Sequence, residues 1–227
     1  MKIPETGIIA QIDKALEIRS RGEKKRDYLG ASLLGEECDR KIWYTYNRVA
    51  VIPSPRLQRI FDMGNIIEDY LINLLIESGL EVWDKRPDGK QWGFEDGPIK
   101  GHCDGVIQGI PESSKPHLLE IKSAKNSRFN EMKKKGIQSS NYQYYIQAQV
   151  YALKLKLDKI LFIVYNKDTS ELYKERIDAE PILAEGMIKK GKEIVAMKEP
   201  PERAYHSATF YKCKWCDHRE ECWNGGK

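Results

Sequence analysis

The chain lacks what would place it outside the folded soluble proteins. No stretch approaches the roughly 18 uninterrupted apolar residues that a membrane helix needs. The opening residues MKIPETGIIAQIDK are too acidic, and their apolar run too short, for a secretory signal peptide. A cytoplasmic location is the expectation. Cysteine is scarce and odd in number, five in 227 residues, which argues against a disulfide framework and for thiols that are buried or bound to metal. A dominant charge sign is also missing, with 38 Lys+Arg against 34 Asp+Glu and a net charge of +4, so a polyanionic partner must be argued from local features. There is no internal repeat and no low-complexity tract.

What remains suits a globular protein. Hydrophobic residues make up 41% of the chain and mean hydropathy is −0.61, which excludes the disordered and collagen-like classes. The length fits one domain with a small appendage. Ile8, Ile9, Ile12, Leu16 and Ile18 have near-helical spacing before the charged SRGEKKRD loop. Ser54-Pro55 is a helix start, and the pattern runs to Ser78, where Gly79 stops it. Phe61, Gly64, Glu68, Leu71 and Leu75 fall on one face of that helix, which sets a carboxylate inside an apolar stripe.

From Leu80 to Lys125 the runs LEVWD, KQWGFE, IKGHCDGVIQG and HLLEIKSA read as strands of a meander. Helices over 127–135 and 140–157, strands KILFIVYN and ELYKERI, and a helix over 181–198 complete a mixed α/β plan.

The chemistry concentrates on HLLEIKSA. Strand alternation turns Leu119 and Ile121 to one face and Leu118, Glu120 and Lys122 to the other. In the preceding run His102, Asp104 and Val106 share a face opposite Cys103 and Ile107, so Asp104 can meet Glu120 if the strands pair. Two carboxylates and an ammonium suit a hydrolytic site: the oxygens hold magnesium or manganese, and the Lys orients or deprotonates the attacking water. E-x-K alone is more often a solvated pair on a sheet face. The balance shifts because Asp104 and Glu68 coincide with it, and a carboxylate in an apolar stripe is costly without a compensating cation or donor. Gln143, Gln147 and Tyr151 line one helix face with Tyr144 beside it, a stripe able to bind phosphate and sugar or to stack on an unpaired base. A helix with core tyrosines is the bland alternative.

Cys213, Cys216 and Cys222 form C-x2-C-x5-C, a metal-ligand spacing that needs a fourth donor. The candidates are Cys38, Cys103 and His218. Strand parity turns Cys103 toward the packed side, so Cys38 is preferred. Spacing alone leaves zinc and an iron-sulfur cluster both open.

These residues carry a resemblance. G-x-x-x-E ending at Glu68, G-H-C-D-G with Asp104, E-I-K with Glu120 and Lys122, and Q-A-Q-V-Y with Gln147 and Tyr151 resemble the PD-(D/E)XK nuclease superfamily in its RecB-like branch. The Glu68 position is commonly His in that branch. Cys38 with Arg40, Trp43 and Tyr44, plus three C-terminal cysteines, is similar to the iron-sulfur group that includes the CRISPR-associated exonuclease Cas four and the AddB nuclease domain.

The resemblance implies a restriction-endonuclease-like core, with Asp104 and Glu120, and Glu68 as a further ligand, holding magnesium or manganese. It gives Lys122 to the water, and Gln147 and Tyr151 to DNA. It implies a structural four-iron four-sulfur cluster on Cys38, Cys213, Cys216 and Cys222 that clasps the chain ends. The expected activity is an exonuclease on single-stranded or free DNA ends, in the five-prime to three-prime sense. A homo-oligomer, or partners in recombination or CRISPR adaptation, is part of that expectation; a catalytically silent DNA-end-binding or adaptor protein is the alternative. The expected division is 1–53 as an N-terminal segment with the first cysteine, 54–199 as the nuclease core and 200–227 as a cysteine knuckle.

Overall fold

In a computed structural model the described residues are 7–22, 26–47 and 52–225. Residues 23–25 of the charged loop, and the first six of the leader reading, lie outside them. The elements run α1 (Ile8–Gly22), β1 (Leu29–Gly30), α2 (Asp39–Asn47), α3 (Pro55–Glu77), β2 (Glu81–Trp83), β3 (Gly93–Asp96), β4 (Ile99–His102), β5 (Gly105–Gln108) and β6 (His117–Ala124). There follow α4 (Asn126–Ser140), α5 (Tyr142–Leu155), β7 (Lys159–Asn166), β8 (Leu172–Asp178), α6 (Pro181–Ala196), α7 (Tyr211–Lys214) and α8 (Arg219–Trp223). No helix among the described residues is long and apolar enough to cross a membrane.

Local chemistry sets several boundaries. Ser54 caps α3 by accepting from the Leu57 amide at 3.3 Å, and Pro55 takes the first helical turn. Gly136, with φ +77, breaks α4, and the freed Ile137 amide donates to Glu175 at 2.8 Å. Asn141 caps α5 by accepting from the Tyr144 amide.

Five strands form one mixed sheet in the order β2-β5-β6-β7-β8, with β6 and β7 parallel and the other pairs antiparallel. A second, three-stranded sheet has the order β1-β4-β3. The meander expected over 80–125 is thus corrected. IKGHCDGVIQG is two strands in two sheets, and β2 pairs with β5 across the β3-β4 hairpin. The chain changes sheet at Cys103, whose amide bonds Trp92 while its side chain packs into the core.

The large sheet is covered on both faces. Leu119, Ile121, Ile107 and Leu161 pack against Ile67, Leu71 and Ile72 of α3. Leu118, Ile160, Phe162 and Val164 pack against Phe129 of α4 and Ile146 and Val150 of α5. Leu29, Ala31, Leu34 and Ile42 join that second cluster, so the segment before α3 shares the main core. The α3 stripe is corrected at its N-terminal end. Phe61 is 49% exposed and lies outside the buried cluster that Ile67, Leu71 and Ile72 of α3 join.

Candidate active site

Alternation along β6 sends Leu119 and Ile121 toward α3 and leaves Glu120 and Lys122 on the α5 side. Pairing of Gly105 with Leu119 brings Asp104, one residue earlier, level with Glu120. The Asp104 carboxylate accepts from the Ile121 amide at 2.6 Å, which fixes it across the strand gap. Lys122 Nζ stands 2.5 Å from Glu120 Oε1. Glu120 is fully buried, and among the described residues neither carboxylate oxygen has a directed hydrogen bond. Glu68 approaches from α3, close enough for its charge and those of Asp104 and Glu120 to act on one another.

Three carboxylates share one ammonium in a poorly solvated place. Burial, with repulsion from Asp104 and Glu68 and against the pull of Lys122, lifts the Glu120 carboxyl to about 8. Burial and then Asp104 lift Glu68 to about 7. Asp104 is raised as well, again by burial, against Lys122 and the Ile121 amide. For Lys122 burial opposes the charge, but Glu120 and Asp104 outweigh it and hold the ammonium above its ordinary value. Among the described residues no three His, Cys, Asp or Glu side chains are grouped tightly enough to ligate one ion. Asp84, just past β2, adds negative charge near Glu68, and no motif flagged it.

The α5 residues divide between surface and core. Gln147 is half-buried and donates to the Tyr151 hydroxyl at 3.4 Å. Tyr151 is only 4% exposed and packs edge-on against Phe94, 6.0 Å between ring centres. It fits because residue 101 is glycine, where a Cβ would lie 2.5 Å from Tyr151 Cε1. Gln143 does not join a common outward stripe with them; its amide donates to the Ser32 carbonyl at 2.7 Å. Tyr144 lies at the site itself, its ring centre 5.2 Å from Lys122 Nζ. Cys103 is buried beneath, its thiol raised to about 12 by burial and by Glu120 and Asp104.

The other four cysteines converge elsewhere. Cys38, Cys213, Cys216 and Cys222 line one cavity of about 610 Å³. Burial raises the Cys213 and Cys216 thiols, and Cys38 adds to each shift. His218 Nε2 is 3.0 Å from Thr45 Oγ1, and its ring stacks on Tyr44 at 5.7 Å. Polar links fasten the two ends of the chain around this cavity. Arg40 donates to the Pro201 carbonyl at 2.8 Å, Trp43 to Met197 at 2.9 Å, and Glu37 accepts from Lys212 and Tyr205. The Trp43, Arg40 and Tyr205 links span 154 to 168 residues of sequence, which left no local signal by which to find them.

No family model matches the chain, and no curated protein matches it. Solved structures do. The chain is similar to SSO0001 at TM-score 0.55 and 18% identity, over 97% of this chain and 98% of that one. It is similar to the exonuclease LHK-Exo in complex with dAMP at TM-score 0.50 and 14% identity, over 82% and 90%. A second structure of that alkaline exonuclease, from Laribacter hongkongensis, gives 0.49 and 16%, over 81% and 91%. At these identities the likeness is one of fold.

Proposed function

We propose that the protein is a divalent-metal-dependent DNA nuclease of the PD-(D/E)XK superfamily, acting as an exonuclease on single-stranded or free ends. The observation that carries this reading is the Glu120 carboxylate, fully buried without a directed hydrogen bond beside Asp104 and Lys122. Lys122 is one ammonium against three carboxylates, so this buried set stays costly until a further cation completes it. The fold likeness to an exonuclease crystallised with dAMP supports the same class.

The donor set fits magnesium or manganese, which prefer carboxylate oxygens. Asp104 and Glu120 would hold the ion, with Glu68 as a further ligand. When bound, it supplies positive charge against the phosphate charge that develops during phosphodiester hydrolysis. The chain's own groups do the positioning. The Ile121 amide fixes one oxygen of Asp104 and leaves the other available. Lys122, held by Glu120 and faced by the Tyr144 ring, presents an ammonium to water or phosphate. Gln147, half-buried on α5, is placed to meet DNA, and buried Tyr151 holds it from below.

A four-iron four-sulfur cluster on Cys38, Cys213, Cys216 and Cys222 belongs to this proposal. Four thiols around a cavity of about 610 Å³ offer the right donor chemistry. Trp223 donates toward Cys213, and the Arg219 and Lys41 charges favour the Cys213 and Cys216 thiolates respectively.

The test is cleavage of end-labelled single- and double-stranded DNA by anaerobically purified protein, with magnesium, manganese or EDTA, beside Lys122→Ala. Metal-dependent products that vanish in the variant are expected, and label released from one end only gives the polarity. A brown, folded protein that cuts neither substrate would overturn the nuclease reading and leave the end-binding adaptor.

A further inference from the structure

Large rings stand in solvent at the mouth of the cysteine cavity. Trp215 is 81% exposed and Tyr211 63%, and both line the cavity with Tyr142, which is 41% exposed. Tyr205, Phe210 and Tyr211 form a ladder, with ring centres 4.4 and 4.8 Å apart, that props Tyr211 outward. Buried tryptophan is among the strongest contributors to a core, so a ring left this open forgoes burial that a partner can recover.

The charge around the rings has one sign in excess. Five Arg or Lys side chains and two carboxylates line the cavity; Lys41 and Lys212 pair with Glu36 and Glu37 and Arg128 with Glu131, which leaves Arg40 and Arg219 as the cations in excess. Lys214, next to Trp215, is exposed and has no carboxylate within 4.0 Å among the described residues. The first turn of α5 connects this cavity to the candidate active site: Tyr142 and Gln143 line the one, and Tyr144 covers Lys122 in the other.

We infer that Trp215, Tyr211 and Tyr142 form a stacking track for single-stranded nucleic acid, running from the cysteine knuckle along the start of α5 to the Lys122 site. Cations that meet phosphates, interleaved with exposed rings that meet base faces, are the means by which single strands are bound without sequence preference. Duplex bases keep their faces stacked, so the rings select the unpaired strand. This deepens the nuclease reading and rests on it for the direction of the track, but binding at the rings does not require cleavage.

The test is anisotropy of a fluorescein-labelled oligothymidylate titrated with the full protein in EDTA, beside a blunt duplex. Trp215→Ala and Tyr142→Ala are each expected to weaken single-strand binding about five- to 150-fold, the equivalent of about 1–3 kcal/mol per stacked base, with duplex binding little changed. Trp215→Phe should restore most of the loss. Trp215 lies between two cluster cysteines, so Tyr142→Ala, on a separate helix, decides the matter if the Trp215 variant misfolds. Unchanged single-strand affinity in a folded Tyr142→Ala, or equal losses for both DNA forms, would overturn the track. Absent cleavage with intact, Tyr142-dependent binding would sink the nuclease reading alone.

Discussion

Lys122 Nζ lies 2.5 Å from Glu120 Oε1, and the two side chains leave the same face of β6 two residues apart. That pair sits among three carboxylates whose protonation is favoured by burial, and for Glu68 and Glu120 also by their neighbouring carboxylates. The arrangement holds repulsion that a cation relieves, so losing the Glu120 charge should cost activity far more than stability.

Glu120→Gln is expected to abolish metal-dependent cleavage yet destabilise the protein in EDTA less than Lys122→Ala does, because Lys122 keeps Asp104 beside it. Lys122→Ala should lower cleavage about 10²- to 10⁴-fold and destabilise the fold, because it removes the one cation facing Glu120 and Asp104. Urea unfolding of both variants in EDTA checks this. Glu120→Gln unfolding at lower urea than Lys122→Ala would refute the account.

Manganese at about 100 times its dissociation constant should add about 2.7 kcal/mol, which raises Tm by several degrees in a domain of this size. Asp104→Asn should remove most of that rise. A thermal scan with and without manganese reads it, and an undiminished rise in the variant would place the ion elsewhere.

Anaerobically purified protein is expected to be brown. Cys216→Ala should lose the visible absorbance and melt at lower temperature, since it opens a clasp joining residues far apart in the chain. Cys103→Ala, altering a thiol in the core beside Asp104, should keep the colour. Equal bleaching in both variants would contradict the assignment of Cys38 over Cys103.

His117 is buried and neutral. Its Nδ1–H donates to the Lys115 carbonyl at 2.8 Å, and Nε2 accepts from Arg176 at 3.2 Å. Burial holds its folded value below the ordinary 6.5. The unfolded chain therefore binds the proton first, and the stability from this residue is present above 6.5 and lost as pH falls below it. The parent's advantage over His117→Gln in urea midpoint should shrink between pH 7.5 and 5.5. An advantage constant across that range would show that His117 does not titrate on unfolding.

The mixed α/β plan and most helices were legible because their signals are local. Ser54-Pro55 caps α3, and strand alternation put Glu120 and Lys122 on one face. The C-x2-C-x5-C spacing was legible as well, being a matter of a few residues. Where partners are distant, the sequence was silent or misleading. The run IKGHCDGVIQG has strand propensity throughout, but only pairing partners far along the chain divide it between two sheets at Cys103. Tyr151 shares a helix face with Gln147, yet which residues of that face meet solvent depends on Gly101 and Phe94 packing over it. The sequence by itself determined the elements and the residue types able to hold a metal, since propensity and periodicity act over a few residues. Tertiary structure alone decided that Glu120 is buried without a directed hydrogen bond and that Cys38 shares a cavity with the C-terminal cysteines, because burial and long-range contact are properties of the packed chain.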